Sequence, residues 1–217
     1  METSKVLNWS EVSRCPESPG IYAWYFRPEL TDHDIHKLIE SINSGSDESI
    51  RVVEDFFHER LFKYFRQKPY KVKLSGSLKP NYEGNIEHIQ KISSGLIERI
   101  IEKPDRLFAI RDLLQKSTPM FASPLYVGMS KNLKYRISQH CSFIKQLRER
   151  SSNPFANTYQ FNITDEERNF AERVVEKELP SSRLFLTYQV TDSTDENIHV
   201  DLENIINRIY YPIFGRN

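Results

Sequence analysis

The chain has 217 residues, with 30 basic and 30 acidic side chains, 28% charged and 12% aromatic residues. This composition suits one globular domain, or a modest core with an elaboration, and excludes a disordered chain or one coated in a single sign of charge. No run approaches the roughly 18 apolar residues needed to cross a bilayer, and the opening METSKVLNWSEVSRCPESPG lacks the apolar core of a signal peptide. Two cysteines, Cys15 and Cys141, without a CxxC spacing, argue against a disulfide framework or a thiolate zinc site, so a cytoplasmic protein with no membrane association is expected.

Taken in chain order, Gly20–Phe26 (GIYAWYF) reads as a strand of aromatic and branched residues opened by the Pro19-Gly20 breaker. From about residue 31 to 66 the pattern is helical, with Leu38, Ile39, Ile42, Val52, Val53, Phe56, Phe57, Leu61 and Phe65 at helical spacings around the polar loop SINSGSDES. Residues 69–85 are turn-rich. A second helical stretch is expected over about 86–115, broken at Lys103-Pro104.

Strand character returns at residues 124–128, followed by a helix with the apolar stripe Leu133, Ile137, Cys141, Ile144 and Leu147. Arg136 and His140, one turn apart, fall on an edge of that stripe and are expected to face a cleft. Residues 165–178 read as a charged helix and Leu184–Val190 as a strand. The final DLENIINRIYYPIFGRN reads as a helix with Leu202, Ile205, Ile206 and Ile209 on its core side, ended by Pro212.

Two tripeptides, Gly20-Ile21-Tyr22 and Tyr126-Val127-Gly128, stand in one order with Arg136, His140 and a final-helix glutamate, Glu203. Together they resemble the GIY-YIG nuclease superfamily, over about residues 10–26 and 122–217. The resemblance implies an α+β fold: a small three-stranded antiparallel sheet flanked by helices. It also implies a discontinuous nuclease core (1–26 and 122–217) and a mainly helical insertion (27–121) where family members have a short connection. Insertions at such a tip cost little. The sequence departs from the family pattern near its end, where the expected asparagine position holds Gly215 and Asn217 lies two residues on. The lysine often found directly after the second tripeptide is Met129, with Lys131 two residues later.

The implied activity is Mg²⁺- (or Mn²⁺-) dependent hydrolysis of phosphodiester bonds in DNA, of restriction, defence or repair type, with RNA left open as a substrate. Glu203 is the implied metal ligand, since Mg²⁺ binds through one or two carboxylates and keeps several waters. Arg136 offers a planar fork to phosphate oxygens, and His140 can accept or pass a proton near neutral pH. A free phenol titrates near 10, so Tyr22 or Tyr126 could act as a base only beside positive charge. Tyr22 is favoured as the base assistant, Tyr126 as the phosphate contact, and Gly128 for close backbone approach. The alternative is a fold kept for DNA binding or regulation without cleavage.

Residues 60–73, RLFKYFRQKPYKVK, interleave Arg60, Lys63, Arg66, Lys68, Lys71 and Lys73 with Phe62, Tyr64, Phe65 and Tyr70 and contain no acid. Such a stretch suits phosphate contact and base stacking; an amphipathic helix with a wet basic face, or a dock for an acidic protein, are the competing readings. His33-x-x-His36 has no further cysteine or histidine close by and is not read as a zinc site. Glu196 and Asp201 are read as solvated or as first-turn acids of a helix.

Overall fold

The computed structural model describes residues 5–45, 48–66, 69–76, 79–87, 89–152, 165–191 and 198–214. The chain forms two compact units, one of Met1–Arg27 with Gln115–Asn217 and one of Pro28–Leu114.

The first unit is built on an antiparallel sheet of β1 (Lys5–Asn8), β2 (Gly20–Phe26), β5 (Tyr126–Ser130) and β6 (Leu184–Val190), in the order β1-β6-β2-β5. The expected three strands are therefore corrected to four. The addition, β1, has only four residues, and its signal lies in its partner: Leu7 pairs with Leu186. In β2 every second residue, from Gly20 through Tyr22 and Trp24 to Phe26, is buried, so the period of two sends one row of aromatics into the core. The register sets Tyr22 opposite Tyr188 on one side and Gly128 on the other, and Trp24 opposite Leu186 and Tyr126.

Among the described residues this unit also holds α5 (Leu133–Ser152), α6 (Asp165–Glu176) and α7 (Ile198–Tyr210). Backbone donors at the start of α5 find partners in the stretch that precedes β2. Leu133 donates to the Ser18 carbonyl at 3.0 Å and Lys134 to that of Pro16 at 3.1 Å, while Asn132 Oδ1 accepts from the Tyr135 amide at 2.9 Å. The Pro-Glu-Ser-Pro that leads into the first tripeptide thus satisfies groups every helix start leaves orphaned, and it locks α5 to the strand bearing Tyr22.

The second unit holds α1 (Asp32–Asn43), α2 (Ser49–Arg60), the hairpin β3 (Tyr70–Gly76) and β4 (Lys79–Ile86), α3 (Ser94–Glu102) and most of α4 (Arg106–Phe121). Its own core gathers Leu30, Ile35, Leu38, Val53, Phe57 and Ile100. Thr31 caps α1, accepting from the Asp34 amide at 3.1 Å while Asp34 accepts from the Thr31 amide at 3.2 Å. Two expectations change here. The turn-rich stretch is a two-stranded hairpin with Tyr70 paired to Ile86 and Leu74 to Tyr82, and the following helix begins at Ser94 rather than near residue 86. His36 is used locally, with Nδ1 2.7 Å from the Asp32 carbonyl and its ring against Phe108.

Gly20 has no room for a side chain. A Cβ there would stand 2.3 Å from the Gln189 carbonyl oxygen and 2.9 Å from Leu133. Gly20→Ala is expected to cost about 3 kcal/mol through overpacking. Gly84→Ala, which would meet nothing within 4 Å, should stay within about 0.5 kcal/mol. Urea unfolding of both variants checks the pair; equal costs would show that β6 yields at Gly20.

Candidate active site

The Tyr22 hydroxyl lies 2.7 Å from His140 Nε2, joining the central strand to the third turn of α5. The Tyr126 ring centroid is 6.2 Å from that of Tyr22 and 5.6 Å from that of His140. Arg136, one turn before His140 on α5, hydrogen-bonds the same phenol, and the Glu203 carboxylate on α7 acts on it electrostatically. A guanidinium has only donors, so Arg136 donates to the phenol oxygen. The phenol hydrogen is then best satisfied on His140 Nε2, which places the imidazole proton on Nδ1. That Nδ1 is buried and has no hydrogen-bond partner among the described residues.

Glycine 128 makes this convergence sterically possible. A Cβ there would sit 2.8 Å from both the Tyr22 hydroxyl and the Tyr126 ring. The expected close approach is therefore one of side chains, with two rings lying across the bare backbone of β5. Phe170 of α6 closes the cluster, 5.0 Å from the Tyr126 ring, 5.1 Å from His140 and 5.9 Å from Trp24. It was not a sequence candidate; its only signal is one aromatic in an otherwise charged helix. Past the end of α7 the Phe214 amide donates to the Leu125 carbonyl at 2.7 Å, which ties the segment after Glu203 to the start of β5.

The environment corrects two expectations. His140 does not face a cleft but is 0% exposed. At 100° per residue it falls about 20° from Leu133, inside the apolar stripe rather than on its edge. Burial, with a smaller push from Arg136, takes its imidazole down to about 3, so it is neutral at working pH. Tyr22 is not a standing base either. Burial drives its phenol well above the ordinary range, Tyr126 and Glu203 add to that, and the opposing influence of Arg136 is outweighed.

Lys131 is exposed in the turn between β5 and α5, and Asp201 is exposed on α7. Asn217, Gly215, Glu196 and Lys68 lie outside the described residues. In the second unit the basic stretch is not the amphipathic helix of the competing reading. It runs from the end of α2 through a short 3₁₀ turn into β3. Arg60 pairs with Asp34 at 3.0 Å, Lys63 sits 5.0 Å above the Tyr64 ring, and Lys73 pairs with Glu83 at 2.9 Å. Arg66 and Lys71 are exposed.

A cavity of about 570 Å³ opens on the other face of the first unit's sheet, against Ile21, Ala23, Tyr25, Thr187, Ile206 and Tyr210. Tyr22 also lines this cavity, although by register its side chain shares a face with Tyr126 and Gly128. Compared with protein-family models, curated proteins and solved structures, the chain matches none.

The buried imidazole links stability to pH. The folded state holds His140 at about 3 against an ordinary 6.5, so between those values the unfolded chain binds a proton that the folded chain does not. Stability is fully present above 6.5 and is lost as pH falls toward 3. Between pH 7 and 5, wild type should lose about 2 kcal/mol more than His140→Gln in chemical denaturation. Parallel losses would mean a solvated imidazole.

Proposed function

We propose that this chain is a metal-dependent DNA endonuclease of the GIY-YIG type, with its active site at Tyr22, Tyr126, Arg136, His140 and Glu203. One observation carries the reading. Side chains of β2, β5, α5 and α7, spread over some 180 residues of sequence, meet at a single phenol, through the Tyr22–His140 hydrogen bond, the Arg136 hydrogen bond and the electrostatic influence of Tyr126 and Glu203. No requirement of core packing gathers an arginine, a histidine and a glutamate around a buried tyrosine hydroxyl.

Each group has a part in phosphodiester hydrolysis. Arg136 presents donors to phosphate oxygens, on which charge grows in the transition state. Tyr22 and His140 rest neutral, hydroxyl to Nε2. As the phenol oxygen receives a proton from the attacking water, its own proton passes to Nε2, so the pair works as a relay. Burial disfavours a lasting imidazolium, so the proton returns from Nε2 through the Tyr22 oxygen to the departing oxygen, which leaves as a hydroxyl. Glu203 is the residue that would hold Mg²⁺ or Mn²⁺. A half-buried carboxylate on a helix fits an ion that takes one or two carboxylates and completes its shell with water and phosphate oxygens. Bound there, the ion supplies charge neutralisation and help for the leaving oxygen.

The test is cleavage of supercoiled plasmid, branched DNAs and matched RNAs with Mg²⁺ or Mn²⁺. Glu203→Ala and Tyr22→Phe should each cut about 10²- to 10³-fold more slowly than wild type while binding DNA as well as it does. If wild type binds these nucleic acids with or without metal and leaves all of them intact, the fold serves binding or regulation instead.

The insertion is proposed as the DNA-contacting part. Residues 61–91 hold seven lysines and arginines and two glutamates, a net +5, so the remainder of a chain of formal net charge zero carries −5. That concentration suits a phosphate backbone. Replacing Lys63, Arg66, Lys68 and Lys71 together by Ala should weaken DNA binding and flatten its salt dependence by about one unit for each phosphate no longer neutralised. An unchanged slope removes the insertion from the interface.

A further inference from the structure

The cavity of about 570 Å³ on the first unit's sheet falls inside the roughly 300–1,000 Å³ that small-molecule sites span. Its walls have a definite chemistry. Among the described residues that line it, none is acidic, basic or histidine, and five are aromatic: Tyr22, Tyr25, Phe121, Tyr188 and Tyr210. A neutral, flat, aromatic occupant suits such walls, because an ion would shed water there without gaining a counter-charge.

The Tyr25 ring stacks on Phe185, with centroids 5.1 Å apart and planes 14° from parallel, so that wall is held in place before anything binds. By register Thr187 lies opposite Ala23 and Gln189 opposite Ile21, which puts a hydroxyl and a side-chain amide on the cavity's face of the sheet. An amide sets a donor beside an acceptor, the pattern found on the edge of a base.

Two observations tie the cavity to the candidate active site. Tyr22, whose hydroxyl meets His140, also belongs to the lining. From α7 the lining takes Ile206 and Tyr210, and Glu203 lies about 20° from Tyr210 around that helix. The carboxylate proposed to hold the metal thus shares one side of α7 with residues of the cavity wall. A phosphate bound at the cluster brings its own nucleotide's base, one sugar away. In continuous duplex that base is held in the stack, whereas an unpaired base leaves it at the least cost.

We propose that this cavity receives an unpaired nucleobase, the one borne by the nucleotide whose phosphate lies at the Tyr22 cluster. Single-stranded or branched DNA is then the substrate, and continuous duplex a poor one. The inference rests on the endonuclease reading for the identity of its ligand.

Abasic scanning of a labelled flap DNA tests it. Unpaired nucleotides near the junction lose the base one at a time and keep the phosphate. Affinity is read by fluorescence anisotropy without metal, and cleavage with Mg²⁺. In wild type, loss of one particular base should weaken binding about 5- to 150-fold, and continuous duplex should bind and cut less well than the flap. Tyr210→Ala removes a ring that is 59% exposed, and Ala23→Leu narrows the cavity. Both should melt near wild type, bind the intact flap more weakly and no longer respond to the missing base.

A flap that wild type cuts with no base-sensitive position overturns the inference and leaves the endonuclease reading standing. So does a base sensitivity that both variants retain, or a duplex cut as fast as the flap. Flap DNA that is bound and never cut, with its base sensitivity lost in the variants, sinks the endonuclease reading and keeps the cavity as a base-binding site.

Discussion

The 2.7 Å hydrogen bond between the Tyr22 hydroxyl and His140 Nε2 joins the central strand to the helix packed on it, in a place where both rings are shielded from bulk solvent. Each partner would be costly to bury alone, and each supplies what the other lacks. For that bond to form, Tyr22 must lie across a residue without a side chain, which β5 provides at Gly128, and α5 must be held at a fixed height against β2. The carbonyls of Pro16 and Ser18 do this by accepting from the first amides of α5. The two tripeptides are thus as much structural as chemical.

Burial changes the meaning of familiar residues. An exposed histidine one turn from an arginine would titrate near neutrality and act as a base in its own right. His140, walled in by Phe170, Tyr126 and Tyr22, rests neutral at working pH, and its value lies in a lone pair ready to accept the phenol proton. Tyr22, whose phenol burial keeps protonated, is correspondingly a conduit. Arg136 gains from the same dry surroundings, since a hydrogen bond from a charged donor strengthens as water is excluded.

The chain places 87 residues, Pro28–Leu114, between two strands that pair directly, Trp24 opposite Tyr126. A flexible loop of that length would add only modestly to the entropy of closing the pair. This segment is no such loop, since it folds around its own core, and although it is close to neutral as a whole it gathers a net +5 within residues 61–91. Within the sheet unit, Ile205 and Ile209 of α7 are left exposed by the sheet they flank.

Much of this was legible in the residues themselves. The period of two in GIYAWYF and the 3.6-residue stripes of the helices placed β2, α1, α2, α5 and β6, because those patterns report local burial. The residues converging on Tyr22 were named by two tripeptides and their order. Other features needed the tertiary structure. β1 is four residues whose pairing partner lies about 180 positions away, so no local pattern announces it. The alternation Tyr70-Lys71-Val72-Lys73-Leu74 is present in the sequence, but the surrounding Pro69, Gly76, Pro80 and Gly84 argue for turns, and only the partner strand resolves the conflict. Periodicity states which side chains share a face. It cannot state what closes over that face, so the depth of His140 and the exposure of Ile205 and Ile209 were settled by which elements packed there and which did not.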